Sequence, residues 1–149
     1  MKTILYIHGP NHNILGKRDP RFYGTMTLQD IENDVDTLAA ELGVKTLHFQ
    51  TNYEGAMVER IQKAALEEKV DAICINPSSF THYSIALVDA LELCECPIYE
   101  MHISNTMKRE DYRQRSVVSP LAEGILIGLG RDVYTLALRA AVSKLNAEK

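Results

Sequence analysis

Apolar runs of strand length alternate with segments of helical periodicity along the whole sequence, and this alternation limits the chain to few architectures. Ile4–Ile7 is a short, wholly apolar run closed by His8-Gly9-Pro10, as a strand buried on both faces would be. Leu28, Ile31, Val35, Leu38 and Leu42 then follow the three-and-four spacing of one helix face. Thr27 is placed to cap that helix and Gly43 to end it. Val44–Phe49 alternates like a strand, and Glu54–Glu68 carries Val58, Ile61 and Ala65 at helical spacing. Val70–Ile75 and Pro97–Met101 are further apolar strands, with a helix over Ser84–Leu93 between them. Pro97 stands first in its strand, where a missing N–H is tolerated. Ile125–Leu129 gives a fifth strand, and Asp132 is expected to cap a last helix through Val133, Leu136, Ala137 and Ala140. Strands alternating with helices predict a parallel sheet with helices on both faces and right-handed crossovers.

At 149 residues the chain fits one domain, 1–149, large enough to bury its own core. Hydrophobic residues make up 46% and charged residues 24%, so only the tail after Leu145 is expected to be loose. A formal charge of −4 argues against a nucleic-acid partner, which needs clustered cations. The apolar run after Met1-Lys2-Thr3 is too short for a signal or membrane segment, so a cytoplasmic protein is expected. Cys74, Cys94 and Cys96 are then expected as reduced thiols, and Cys94-x-Cys96 lacks the spacing of a redox or zinc pair.

In sheets of this kind, ligands gather outside the carboxyl ends of the strands. Three polar segments follow those ends: Gly9-Pro10-Asn11, Asn76-Pro77-Ser78-Ser79 and His102-Ile103-Ser104-Asn105. The first connection, Gly9 to Met26, far exceeds the ~2–6 residues usual between a strand and a helix. It carries Arg18, Arg21 and Tyr23, with Gly16 and Gly24 as hinge candidates for a lid. Glu100 and His102 are two apart on one strand, so their side chains share a face. A carboxylate there can fix the imidazole tautomer and favour its charged form, as an orienting acid should.

The loop Gly9-Pro10-Asn11-His12-Asn13-Ile14-Leu15-Gly16, continued by Arg18-x-Pro20-x-x-Tyr23-Gly24, resembles the signature of type II 3-dehydroquinate dehydratases. Further pieces fit that family in order: Asn52-x-Glu54-Gly55, Ile75-Asn76-Pro77, Thr81-His82, Asp89-Ala90, Glu100-x-His102-Ile103-Ser104-Asn105, Arg109-Glu110-x-x-Arg113, Ser119-Pro120, and Gly124 followed by Gly128-Leu129-Gly130. The resemblance covers nearly the whole chain.

That resemblance implies an α/β, flavodoxin-like three-layer sandwich with a five-stranded parallel sheet in the order 2-1-3-4-5. It also implies a homo-oligomer, a dodecamer built from trimers, and no cofactor or metal. The implied reaction removes water from 3-dehydroquinate to give 3-dehydroshikimate, by anti elimination through an enolate, in the shikimate pathway or in quinate breakdown. Tyr23 matches the family's base. A free phenol ionises near pH ~10, so such a base needs cations that favour the phenolate, and Arg18 and Arg113 match the positions that supply them. His102, oriented by Glu100, matches the acid at the leaving hydroxyl, and Asn11 the residue that holds a water against the enolate oxygen. Asn76 and the Ile103 and Ser104 backbone match a carboxylate pocket, and His82 and Arg113 match groups that bind ring hydroxyls. Asp89 matches a residue reaching a neighbouring subunit's site. Arg109 is placed among the substrate-binding residues, with an ion-pair partner of Glu110 or Asp111, or a support behind the site, as the alternatives.

The chain departs from the family pattern at His8, His12, Tyr53, Ser78-Ser79-Phe80, Val88 and Arg131-Asp132-Val133. Ser78 stands where glycine is usual; a positive φ there would strain it. A preference for a related cyclic hydroxy-acid is one alternative. Another is a flavodoxin-like nucleotide- or flavin-binding module, which would want a Gly-rich loop leading straight into a helix. A third is a catalytically silent scaffold, against which the retained Tyr23, Arg18, Glu100 and His102 count.

Overall fold

A computed structural model describes residues 1–148. Five strands, β1 (Thr3–His8), β2 (Lys45–Gln50), β3 (Ala72–Asn76), β4 (Ile98–His102) and β5 (Gly124–Ile127), form one sheet in the order β2-β1-β3-β4-β5. Every pairing is parallel, as the alternation and the resemblance imply. Helix α1 (Pro20–Tyr23) lies in the first loop. The others are α2 (Leu28–Leu42), α3 (Glu54–Lys63), α4 (Ile85–Leu91), α5 (Asp111–Gln114) and α6 (Asp132–Ala147).

The pleat of the sheet divides the core in two. Ile4, Tyr6, Cys74, Tyr99 and Met101 point to one face and pack with Ile31 and Val35 of α2 and Tyr134, Ala137 and Leu138 of α6. Leu5, Ile7, Ile73, Ile75 and Ile98 point to the other and pack with Met57 and Ile61 of α3 and Leu87 and Leu91 of α4. Both faces of the central strands are therefore dry, which is why they read as unbroken apolar runs.

Local chemistry sets most element ends. Thr27 Oγ1 accepts from Asp30 N–H and Asp30 accepts from Thr27 N–H, a reciprocal capping box that starts α2. Gly43, at φ 70°, ends it. Ser84 Oγ accepts from Leu87 N–H at 3.1 Å and caps α4, which is shorter than the Ser84–Leu93 span expected. The helix expected over Glu54–Glu68 is α-helical to Lys63 and then widens into a π turn, Ala64–Glu68, closed by Lys69 at φ 50°.

Three expectations are corrected. β5 starts at Gly124 and stops at Ile127, two residues before the expected Leu129, because Gly128 (φ 82°) and Gly130 (φ 61°) turn the chain out of the extended region. Arg131, not Asp132, stands at the N-cap position of α6 and makes no side-chain capping bond; Asp132 lies in the first turn, where the helix dipole favours an acid. The helix also runs on to Ala147, into the tail expected to be loose; Lys149 lies outside the described residues. Cys74, Cys94 and Cys96 are free thiols. Among the described residues, no helix is long and apolar enough to cross a membrane.

Candidate active site

The β1, β3 and β4 strands end side by side, so the turns after His8, Asn76 and His102 share one rim of the sheet. Gly9 sits in this rim against Pro77: a Cβ there would lie 2.5 Å from the Pro77 carbonyl oxygen, so only glycine fits. The long first loop folds back over the same rim and is ordered by its own turns. Asp19 accepts from Arg21 N–H at 3.0 Å, Pro20 starts α1 with its φ preset, and Gly24 at φ 66° ends it. Tyr23, the last residue of α1, is thereby fixed in position.

Two arginines hold the Tyr23 side chain. Arg109 Nη1 donates to Tyr23 Oη at 2.8 Å and to Ser104 Oγ at 3.3 Å. The Arg18 guanidinium carbon stacks 3.7 Å from the Tyr23 ring centroid, within cation–π range. The arginine bonded to the phenol oxygen is thus Arg109, expected from the sequence to bind substrate or to act as an ion-pair partner or support. Arg113, expected in that place, donates to Glu110 at 2.7 Å, although its side chain still lines the cleft. Arg109 closes a turn at Thr106–Lys108, whereas Arg113 lies within α5, and the two point differently as a result.

His102 Nε2 lies 2.5 Å from Glu100 Oε2, both side chains buried. A carboxylate only accepts, so Nε2 carries the proton and Nδ1 is left for a ligand. Glu100 Oε1 accepts from Ser116 at 3.0 Å and Ser119 at 2.9 Å. Burial pushes the Glu100 carboxyl up, but the His102 bond and charge, with the Ser119 and Ser116 hydroxyls, outweigh it and hold it below the usual carboxylate range. Ser116 had no sequence signal. Ser119 was visible only as part of Ser119-Pro120.

The cleft is lined by His12, Arg18, Tyr23, Asn76, Ser78, Ser79, His82, His102, Ile103, Ser104, Thr106, Arg109 and Arg113. Most of the expected site residues therefore meet. Asn11 and Asp89 do not line it. Asn11 is exposed at φ 68°, its N–H donating to Asn52 at 2.9 Å, and Asp89 lies on α4, away from the cleft. Asn76 Oδ1 accepts from Ser78 N–H, and its amide donates to Tyr134 Oη, which leaves one amide proton for a ligand. His82 Nδ1 donates to the Arg115 carbonyl at 2.7 Å; burial, with the charges of His102 and Arg113, outweighs that bond and lowers its pKa. His12 is a lining group the sequence reading had only as a departure. Burial drives its pKa down to about 4 against the Gly9 carbonyl bond, so it is neutral near pH 7.

The open volume of this cleft is small, about 40 Å³. A cavity of about 560 Å³ lies beside it and shares Tyr23, Ile103, Ser104 and Arg109. The larger space contains neither His102 nor Asn76, so Tyr23 and His102 meet only at the narrow cleft.

A sequence model described as "Dehydroquinase class II" matches residues 2–142. The chain belongs to the class II dehydroquinase family. A 3-dehydroquinate dehydratase of Leptothrix cholodnii is 49% identical over 147 residues, covering 99% of this chain and 98% of that one. One from Bordetella petrii is 50% identical over 140 residues, covering 94% and 96%. The crystal structure of the type II dehydroquinase from Propionibacterium acnes superposes with a TM-score of 0.91 at 39% identity, covering 96% of this chain and 97% of that one.

For a class II dehydroquinase, Ser78 is a telling departure. It adopts φ 56°, the left-handed region that favours glycine, while its N–H is held by Asn76. Ser78 lines the cleft in a strained backbone conformation.

Proposed function

We propose that this dehydroquinase removes water from 3-dehydroquinate to give 3-dehydroshikimate, with Tyr23 as base and His102 as acid, the chain working as one domain. The observation that carries this reading is a single cleft holding a phenol oxygen bonded to Arg109 and an imidazole bonded to Glu100. The Tyr23 oxygen, as phenolate, takes the proton from the carbon beside the ketone, leaving an enolate. Collapse of the enolate expels the hydroxyl, which takes a proton from His102 and leaves as water. Tyr23 then returns a proton to solvent and His102 regains one. Base and acid come from different elements, α1 and β4, and line one cleft, and the elimination proposed needs no imine.

Guanidinium donors around an oxygen favour its anion, most strongly where water is excluded. Arg109 is therefore assigned the direct contact with the base, Arg18 the ring stack and Arg113 a substrate hydroxyl. Asn76 and the Ile103–Ser104 backbone are assigned the substrate carboxylate, and His82 a ring hydroxyl. Asn11, which precedes His12 of the lining but stands outside the cleft itself, is assigned the water that bridges to the enolate oxygen. The narrow cleft is far below the ~300 Å³ typical of ligand sites, and the loop carrying Arg18 and Tyr23 is assigned the role of a lid that opens for entry and recloses around substrate. A dodecamer of trimers, with Asp89 reaching a neighbour's site, and a cytoplasmic location belong to the same proposal.

Purified protein treated with EDTA should convert 3-dehydroquinate to a product with conjugated-enone absorbance and survive borohydride in the presence of substrate. No turnover across pH ~6–9 overturns the reading. Mass in solution tests the dodecamer.

A further inference from the structure

Between the sheet and α2 lies a second group of polar side chains, one buried and two half-buried, that the dehydration does not use. We propose that His8, Glu32 and His48 form a binding site for one divalent transition-metal ion, with Zn²⁺ the ion its donors suit. One ligand atom from each of the three lies within 4.8 Å of the others. None of them lines the catalytic cleft.

The site follows from three local periodicities. His8 ends β1, two residues after Tyr6 on the same face, and His48 is the register partner of Tyr6 on β2. Glu32 and Asp36 are one turn apart on α2, which covers that face. The His8 and His48 rings lie nearly parallel, with centroids 5.9 Å apart and an interplanar angle of 11°.

Unmet hydrogen bonding points to a ligand. His8 is fully buried, and neither of its ring nitrogens has a protein partner. A neutral imidazole must carry one N–H and one lone pair, and leaving either unmatched in a dry interior is costly. His48 supplies the second sign. Its Nε2 donates to Asp36 at 2.8 Å, and Asp36 also accepts from Thr46 at 2.6 Å. That leaves His48 Nδ1 as a lone pair, and it too is buried without a partner. A carboxylate–histidine arrangement of this kind orients an imidazole towards a metal.

The donor set decides the class of ion. Two imidazoles and one carboxylate suit Zn²⁺, Co²⁺ and their neighbours, whereas Ca²⁺ and Mg²⁺ demand oxygen ligands. Three protein ligands also leave a fourth position for water. Such an ion would tie β1 to β2 and α2 just before Gly9, whose carbonyl holds His12 at the cleft wall. The role is structural, since the reaction assigned to the cleft runs without it.

The test uses the full-length protein stripped with EDTA and titrated with Co²⁺, read by visible absorbance, and with Zn²⁺, read by calorimetry and Tm. One ion per chain should bind, with a rise in Tm. Glu32 is only half-buried, so Glu32→Gln should fold and weaken binding at least tenfold. Asp36→Asn, which touches no ion, should weaken it about 10–100-fold by releasing His48. Absence of saturable binding overturns the proposal, as it would if a buried water satisfies His8. Binding of unchanged affinity in Glu32→Gln, wherever the ion then sits, overturns it equally.

Discussion

Arg109 Nη1 donates to Tyr23 Oη at 2.8 Å across a sequence separation of 86 residues. This bond joins the first loop to the segment after β4 and gives the Tyr23 phenol its guanidinium partner. Arg109→Lys keeps the charge but loses the planar fork that reaches both Tyr23 and Ser104. It should lower kcat about 10²-fold or more, while Arg113→Lys should act mainly on KM. Equal kcat losses in steady-state assays would return the phenol contact to Arg113.

Tyr23→Phe removes the proposed base but keeps the ring that Arg18 stacks on. Turnover should fall about 10²–10⁴-fold, with unchanged circular dichroism and a Tm within a few degrees. A variant that keeps a tenth of the activity assigns the base elsewhere.

Glu100 is held below the usual carboxylate range in the folded state, so its contribution to stability is present above the unfolded carboxyl pKa and lost as pH falls through the folded one. Replacing both Ser116 and Ser119 by Ala removes two of the donors that keep it ionised. The acid limb of the kcat profile should move to higher pH, with little change near pH ~8. An unmoved limb would mean that His102 alone fixes the ionisation of Glu100.

His12, although a base, is linked to pH in the same direction as Glu100. Its folded pKa of about 4 lies below the unfolded value near ~6.5, so between these the unfolded chain binds more protons. Stability should therefore fall as pH drops from about 6.5 to about 4, by roughly 3 kcal/mol from this group. Urea unfolding with EDTA present, at about pH 7 and about pH 4.5, should show a smaller difference in His12→Leu than in the parent protein.

Ser78→Gly relieves a left-handed residue of about 1 kcal/mol of strain. Calorimetry should show Tm rising by about 2–4 °C. A Tm that falls would show that the serine hydroxyl contributes more than the backbone costs.

The sequence by itself determined the layered parallel fold and singled out most of the residues that line the cleft. Strands buried on both faces must be apolar throughout, and caps such as Thr27 and Ser84 act within one turn, so both leave local marks. The Glu100–His102 pair was legible for the same reason, being two residues apart on one strand. Tertiary structure decided what no local period encodes. It chose Arg109 over Arg113 at the phenol, brought Ser116 and Ser119 to Glu100, buried His12 in the cleft wall, and gathered His8, Glu32 and His48 from three elements. Side chains that distant in sequence meet only once the sheet and helices have packed, because the direction of each is then set by its neighbours and not by its own segment.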